Sequence, residues 1–143
     1  MRQNLPVTNT EFQFPDGVTL VSTTDLKSHI TYCNPAFIAV SGYSREELIG
    51  QPHNLVRHPD IPPEAFRDMW ATLQSGSPWS AMVKNRRKTG EHYWVMANAT
   101  PVLENGQPVG YMSVRTKPTR EQVEQAEQLY ARMRAEAESG NVM

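Results

Sequence analysis

The sequence predicts an α+β fold: a five-stranded antiparallel sheet with short helices packed on one face, followed by a C-terminal helix. Three observations predict it. Two β-branched runs stand near the start, VTLVSTTD (Val18 to Asp25) and HITYCN (His29 to Asn34). A block of short helical patterns, each cut by Pro or Gly, follows them. Three further strand runs joined by Gly-bearing turns come last, ahead of the helical run REQVEQAEQLYARMRAEAES. Strands at both ends of a chain close into one sheet when the helices between them cover one of its faces.

Taken in order, residues 1–17 are polar, with Pro6, Pro15 and Gly17, and read as an extended arm. Only Leu26, Lys27 and Ser28 separate the first two strands, which makes a tight hairpin. Asn34 before Pro35 is a helix start, an Asn N-cap with Pro at the first helical position, and Gly42 stops that helix. Ser44 with Glu47 three residues on is a capping box for another short helix, closed by Gly50. In EAFRDMWATLQSG the apolar Phe66, Met69, Trp70 and Leu73 share one helical face, and Gly76 ends the run. The last strands turn at Lys88-Thr89-Gly90 and at Asn105-Gly106, the second being the strongest short hairpin signal.

Composition narrows the function. The chain has 143 residues, enough for one domain with a core, and 38% hydrophobic with 20% charged residues is an ordinary globular balance. A net charge of −1 gives no bulk support to nucleic-acid or anionic-membrane binding. No apolar run reaches the ~20 residues of a membrane span, and the start lacks the apolar region of a secretory signal. The single cysteine, Cys33, excludes an internal disulfide, fits a reducing cytoplasm, and reads as a small buried hydrophobe. The basic run KNRRK (Lys84 to Lys88) sits at a hairpin tip and reads as a solvated turn, with a docking surface for a downstream domain as the other option.

The chemistry concentrates in QPHNLVRHPD, where His53, Arg57, His58 and Asp60 fall together in an irregular segment. Pro59, Pro62 and Pro63 forbid a long helix there. Short, broken helices cover a curved sheet less closely than one long helix, so a hollow is expected beneath this segment, and hollows of this kind take flat ligands. Alternation places Trp79, Ala81, Val83 and Asn85 on one face of their strand, and Tyr93, Val95, Ala97 and Ala99 on one face of the next. On spacing alone Trp79 reads as a core tryptophan and Asn85 as a polar residue beside a turn. Likewise Asp60 reads as the cap of a turn, paired with Arg57.

The element order, with NPAFIAVSGYSREELIGQP on the helices and ENGQPVGYMSV as a hairpin, resembles a PAS domain over roughly residues 18–117. The runs STTDL, VSGY, GQPHNLVRHPD, FRDMW, VKNRRKTGEHYWV and GYMSVRT resemble more closely the N-terminal PAS domain of bacterial aerotaxis (energy-taxis) receptors. That resemblance implies a cytoplasmic sensor binding FAD without a covalent bond. It further implies a parent receptor anchored at the inner membrane, and relay of the flavin redox state to a chemotaxis histidine kinase. It places Arg57, His58 and Asp60 in the flavin site: Arg57 as a donor fork to a phosphate or ring carbonyl, His58 stacking or hydrogen bonding, Asp60 accepting from a ribose hydroxyl, an adenine amine or Arg57. Trp79 becomes a wall of the ring slot, and Asn85 an amide able to donate to a carbonyl and accept from an N–H.

Light-sensing flavin PAS domains carry a cysteine in an NCRFLQ-like motif here; this chain has PHNLVR, with His53 near the cysteine's place. Redox sensing without a photoadduct is therefore expected. Haem is the alternative cofactor, with His53 or His58 as axial ligand. A cofactor-free PAS dimerisation module is the third reading. Zinc has weak spacing, and neither a nucleophile elbow nor a P-loop suggests an enzyme.

Residues 118–143 read as a C-terminal helix and linker to an output module. Val123, Ala126, Tyr130, Met133 and Ala137 form a short heptad-like seam. The helix either packs back on the sheet or begins a homodimeric coil. The receptor resemblance makes the chain a fragment of a longer protein, with a freestanding small PAS protein as the other option.

Overall fold

Asn34 ties the first strands to the first helix. In the computed structural model, which describes residues 7–138, its Oδ1 accepts from Phe37 N at 3.0 Å and from Val21 N at 3.1 Å, and its Nδ2 donates to Thr19 O. One side chain thus caps α1 (Pro35–Ser41) and pins it to β1 (Thr19–Thr24), beside β2 (Ile30–Cys33). A cap of this type contributes about 1 kcal/mol. Gly42, at φ 76°, ends α1 in the left-handed conformation that glycine adopts at little cost. The Ser44–Glu47 capping box opens α2 (Arg45–Leu48) as the sequence predicts.

A 3-10 turn over His53–Val56 leads to the proline-rich segment, and α3 (Pro63–Gln74) follows with Pro63 in its first turn. The sheet continues with β3 (Trp79–Arg86), β4 (His92–Glu104) and β5 (Gln107–Thr116). Asn105 and Gly106 both take positive φ, 52° and 77°, the backbone of the tightest hairpins. All pairings are antiparallel, and the strand order is β2-β1-β5-β4-β3. The expected five-stranded sheet is therefore closed by β1 against β5, with Leu20 opposite Arg115.

The main core lies between the sheet and the short helices and includes Leu20, Ile30, Cys33, Phe37, Leu48, Tyr93 and Val95. A smaller cluster lies around α4 (Arg120–Glu138), where Val123, Ala126 and Tyr130 bury against Trp94 and Ile61. Trp94 alternates with the core-facing Tyr93 and Val95, which puts this cluster on the sheet's other face. Of the two uses open to the heptad-like seam, packing back on the sheet is the one seen; Met133 is half-buried and Ala137 exposed.

The N-terminal arm is not free over its described part. Thr8 and Phe12 donate to the carbonyls of Gly90 and His92, and Phe14 is buried edge-on to Tyr93. Residues 1–6 of the arm and 139–143 of the C-terminal segment lie outside the described residues. The KNRRK run also departs from expectation, because its charges are used internally. Arg86 is buried, donating from Nη2 to the Tyr43 hydroxyl at 2.6 Å and to Leu55 O. Arg87 donates to Val40 O and lies over Phe12, while Lys84 and Lys88 pair with Asp60 and Glu47. Among the described residues no helix is long and apolar enough to cross a membrane.

Candidate functional site

Between the sheet and α3 lies a partly open cavity of about 200 Å³. Small residues make its floor: Val83 of β3 with Ala97 and Ala99 of β4. Their faces coincide because Trp79 pairs with Ala99 and Ala81 with Ala97 across the ladder. Trp79, Trp70, Phe66 and Tyr111 supply the aromatic walls. Trp79 is fixed to α3 by its Nε1, which donates to Asp68 Oδ2 at 3.0 Å. Trp70 meets Tyr111 edge-on at 5.3 Å.

The polar side is built by Ser22, His53 and Ser113, with Arg115 behind them. Arg115 is buried, and its Nη1 donates to His53 Nε2 at 3.0 Å and to Ser113 Oγ at 3.2 Å. Its Nη2 donates to Ser22 Oγ at 2.9 Å, and its guanidinium carbon lies 4.4 Å from the centre of the Phe37 ring. Because a guanidinium only donates, His53 Nε2 carries no proton, and the Ser22 hydroxyl at 2.9 Å donates to the same nitrogen. The imidazole stacks on Phe37 at 5.9 Å and 7°. Burial first, and the Arg115 charge second, push the His53 pKa down to about 3, so the ring is neutral. Burial also pushes Arg115 down to about 10, leaving it a cation. Its hydrogen bonds all go to neutral groups, so the charge has no carboxylate against it among the described residues.

Two buried polar atoms here lack a partner among the described residues: Thr24 Oγ1 on the lining and Arg115 Nε. Burial pushes the Tyr93 phenol up to about 12. Orphaned buried groups are rare enough in folded proteins to need an explanation.

Of the residues singled out in the sequence, His53, Arg57 and Trp79 line the cavity. Arg57 lies with its guanidinium carbon 3.7 Å from the centre of the Phe66 ring. Asn85 is buried on the same strand face but stands outside the lining, opposite Tyr93 in the ladder and bridged through its backbone to Arg57. His58 and Asp60 are also outside the lining. The His58 ring is buried edge-on to His92 at 6.1 Å, and its Nδ1 accepts from Asp60 N at 3.0 Å. The Asp60 carboxylate accepts from Lys84 Nζ at 2.8 Å. Burial chiefly, with the Lys84 charge, pushes His58 down to about 4. Burial works to raise the Asp60 pKa, but Lys84 outweighs it, and the carboxyl is held below its usual range.

Sequence reasoning missed Ser22, Thr24, Ser113 and Arg115. The period-2 alternation of GYMSVRT carried the signal, since it puts Tyr111, Ser113 and Arg115 on one face and that face is the inner one. No group of three or more His, Cys, Asp or Glu suited to a metal ion occurs among the described residues.

Comparison with known proteins bears on the family and the fold. The chain is 55% identical over 129 residues to the aerotaxis receptor of Escherichia coli (strain K12), covering 90% of this chain and 26% of that protein. It is 39% identical over 83 residues to a nitrogen fixation regulatory protein of Klebsiella pneumoniae, covering 58% of this chain and 17% of that protein. The chain thus spans about a quarter or less of the length of these relatives. The light-state structure of the blue-light photoreceptor Aureochrome1 LOV superposes with a TM-score of 0.68 at 20% identity, over 81% of this chain and 91% of that one. The family model described as the PAS fold matches residues 30–115, and the chain belongs to the PAS family.

Proposed function

We propose that the cavity binds a flavin, FAD, without a covalent bond, and that the domain reports the flavin's redox state to a signalling module of a longer receptor. The observation that carries this reading is the Ser22–His53–Arg115 corner at one side of a slot walled by aromatic rings and floored by small residues. A flat ring fits the floor of Val83, Ala97 and Ala99. Carbonyl oxygens and ring nitrogens would satisfy the orphaned Thr24 hydroxyl, and electron density arriving on the ring would meet a buried cation that no carboxylate among the described residues neutralises. A flavin, when bound, supplies reversible electron acceptance with a change of protonation at its ring edge.

In this reading Trp79 and Phe66 hold the ring faces, Arg57 donates to a phosphate or ring carbonyl, and Asn85 senses the ring edge next to Tyr93. His53 presents a fixed tautomer. His58 and Asp60 contribute by holding the segment that carries Arg57. Cys33 is buried on β2 and outside the lining, which supports redox over photoadduct chemistry. Haem has less support: His53 Nε2 already accepts from two donors, and His58 is outside the lining. The relatives' names, an aerotaxis receptor and a nitrogen fixation regulatory protein, support a sensor rather than an enzyme. A cytoplasmic placement beside a membrane-anchored receptor belongs to the same reading.

The test is an absorption spectrum of the purified protein, with chromatography of any chromophore released by heat. Flavin bands and released FAD are expected. A Soret band, or a protein still colourless after incubation with FAD, would overturn the reading. Asn85→Ala should weaken flavin retention or blunt the redox-dependent conformational response; an unchanged affinity and response would remove Asn85 from the mechanism.

A further inference from the structure

Residues 57–61 have two faces. On one side Arg57 lines the cavity and lies against Phe66. On the other side the same short run holds α4: Arg134 Nη1 donates to Asp60 O at 2.7 Å, and Ile61 is buried with Trp94, Val123, Ala126 and Tyr130. Between these ends the run is tied to β3. Arg57 bridges Asn85, His58 N donates to Lys84 O at 3.3 Å, and Lys84 Nζ reaches the Asp60 carboxylate. Internal bonds stiffen it further: Asp60 N donates to His58 Nδ1, and Ile61 N to His58 O. Pro59 stands inside the run, with Pro62 and Pro63 directly after it, and each fixes one backbone angle. A run this short and this constrained has little slack, so a displacement at Arg57 cannot be absorbed before Asp60 and Ile61.

We propose that residues 57–61 act as a two-sided strap that couples ligand occupancy of the cavity to the docking of α4. A ligand that fixes Arg57 fixes the carbonyl of Asp60, to which Arg134 donates. By reciprocity, a docked α4 strengthens ligand retention. The strap gives the helix a route to the cavity separate from the sheet face on which it rests. The ligand part of the proposal rests on the flavin reading above; the mechanical part does not.

The experiment uses the full chain, the variants Arg134→Ala and Arg134→Lys, and FAD as the probe. Flavin affinity is measured by titration, and amide hydrogen exchange is followed with and without FAD. Arg134→Ala should weaken FAD binding about fivefold or more, with Arg134→Lys partly restoring it. Saturating FAD should slow exchange in residues 120–138. Without ligand, Arg134→Ala should speed exchange at residues 57–61 while leaving β1 and β5 unchanged. An unchanged FAD affinity with α4 exchange indifferent to FAD would overturn the coupling. If the chain binds no FAD, the flavin reading fails, and the ligand-free comparison decides the strap: unchanged exchange at 57–61 in Arg134→Ala would overturn it.

Discussion

Arg115 Nη1 lies 3.0 Å from His53 Nε2, so a buried cation and a neutral imidazole share one hydrogen bond beside the cavity. The pair sets the protonation of the site, because the nitrogen that accepts from Arg115 cannot hold a proton of its own. It also joins β5 to the irregular segment after α2, parts of the chain far apart in sequence.

Acid should therefore loosen the fold. The folded-state pKa values of His53, about 3, and His58, about 4, lie below the value near 6.5 of an unfolded histidine. Between those limits the unfolded chain binds protons that the folded chain refuses. Their stabilising contribution is complete above about pH 6.5 and declines as pH falls, by at most about 1.4 kcal/mol per pH unit for each group. Urea midpoints measured from pH 7 to pH 4 should fall steadily, and His53→Gln should flatten the slope. A midpoint independent of pH over that range would contradict these assignments.

Replacing Arg115 by Met should separate charge from packing. Met relieves the burial of an unpaired charge but takes the donor from Ser22, Ser113 and His53 Nε2, so a loss of about 1–3 kcal/mol is expected. The His53 pKa should rise, since Arg115 is one of the influences holding it down, yet stay below 6.5, because burial is the larger one. An NMR titration of the imidazole reads this directly. An unmoved His53 pKa would show that the guanidinium charge does not reach the ring.

Asp68 should matter through Trp79. The indole N–H donates to Asp68 Oδ2 at 3.0 Å, and Trp79 is only 8% exposed. Asp68→Ala strands that donor and should cost about 1–3 kcal/mol, whereas Asp68→Asn keeps an acceptor and should cost less. Because the ring forms a cavity wall, its emission should shift in Asp68→Ala, read as the difference from the same variant carrying Trp79→Phe. Equal stabilities for the Ala and Asn variants would mean that the hydrogen bond holds nothing in place.

The strands were legible because a half-buried strand writes its period of two into the sequence; Trp79, Val83, Tyr93, Val95, Ala97 and Ala99 all fall on the inner face that alternation predicts. Caps were legible too, since Asn34-Pro35 and Ser44-x-x-Glu47 act within a few residues. Arg115 was missed although the same alternation placed it inward, because a charge is expected in water. Asp60 and His58 were harder. An irregular segment has no period, so nothing local tells which side a residue faces, and their partners Lys84, His92 and Arg134 are remote in sequence. The fate of KNRRK was hidden for the same reason: Tyr43, Val40 and Glu47, which absorb its charges, come from helices and loops that only the fold brings near.

Gly110 should tolerate no side chain at all. It sits on β5 just before Tyr111, which pairs with Thr24 of β1. A Cβ at Gly110 would lie 2.1 Å from Thr24 O and 3.3 Å from Thr24 C, both backbone atoms of the neighbouring strand. No rotamer relieves a clash with backbone, so the strands must part. Their pairing closes the sheet, and Thr24 and Tyr111 both line the cavity. Gly110→Ala should therefore destabilise the domain by at least about 3 kcal/mol, a fall in Tm of roughly 10 °C or more, and should impair cavity binding in whatever protein still folds. A thermal melt of Gly110→Ala beside Gly106→Ala isolates the cause. Gly106 has positive φ but open space around its Cβ position, so its substitution strains a turn without forcing strands apart, and should cost clearly less. Equal losses at the two positions would mean that the close approach of β1 and β5 is not what requires a glycine at 110.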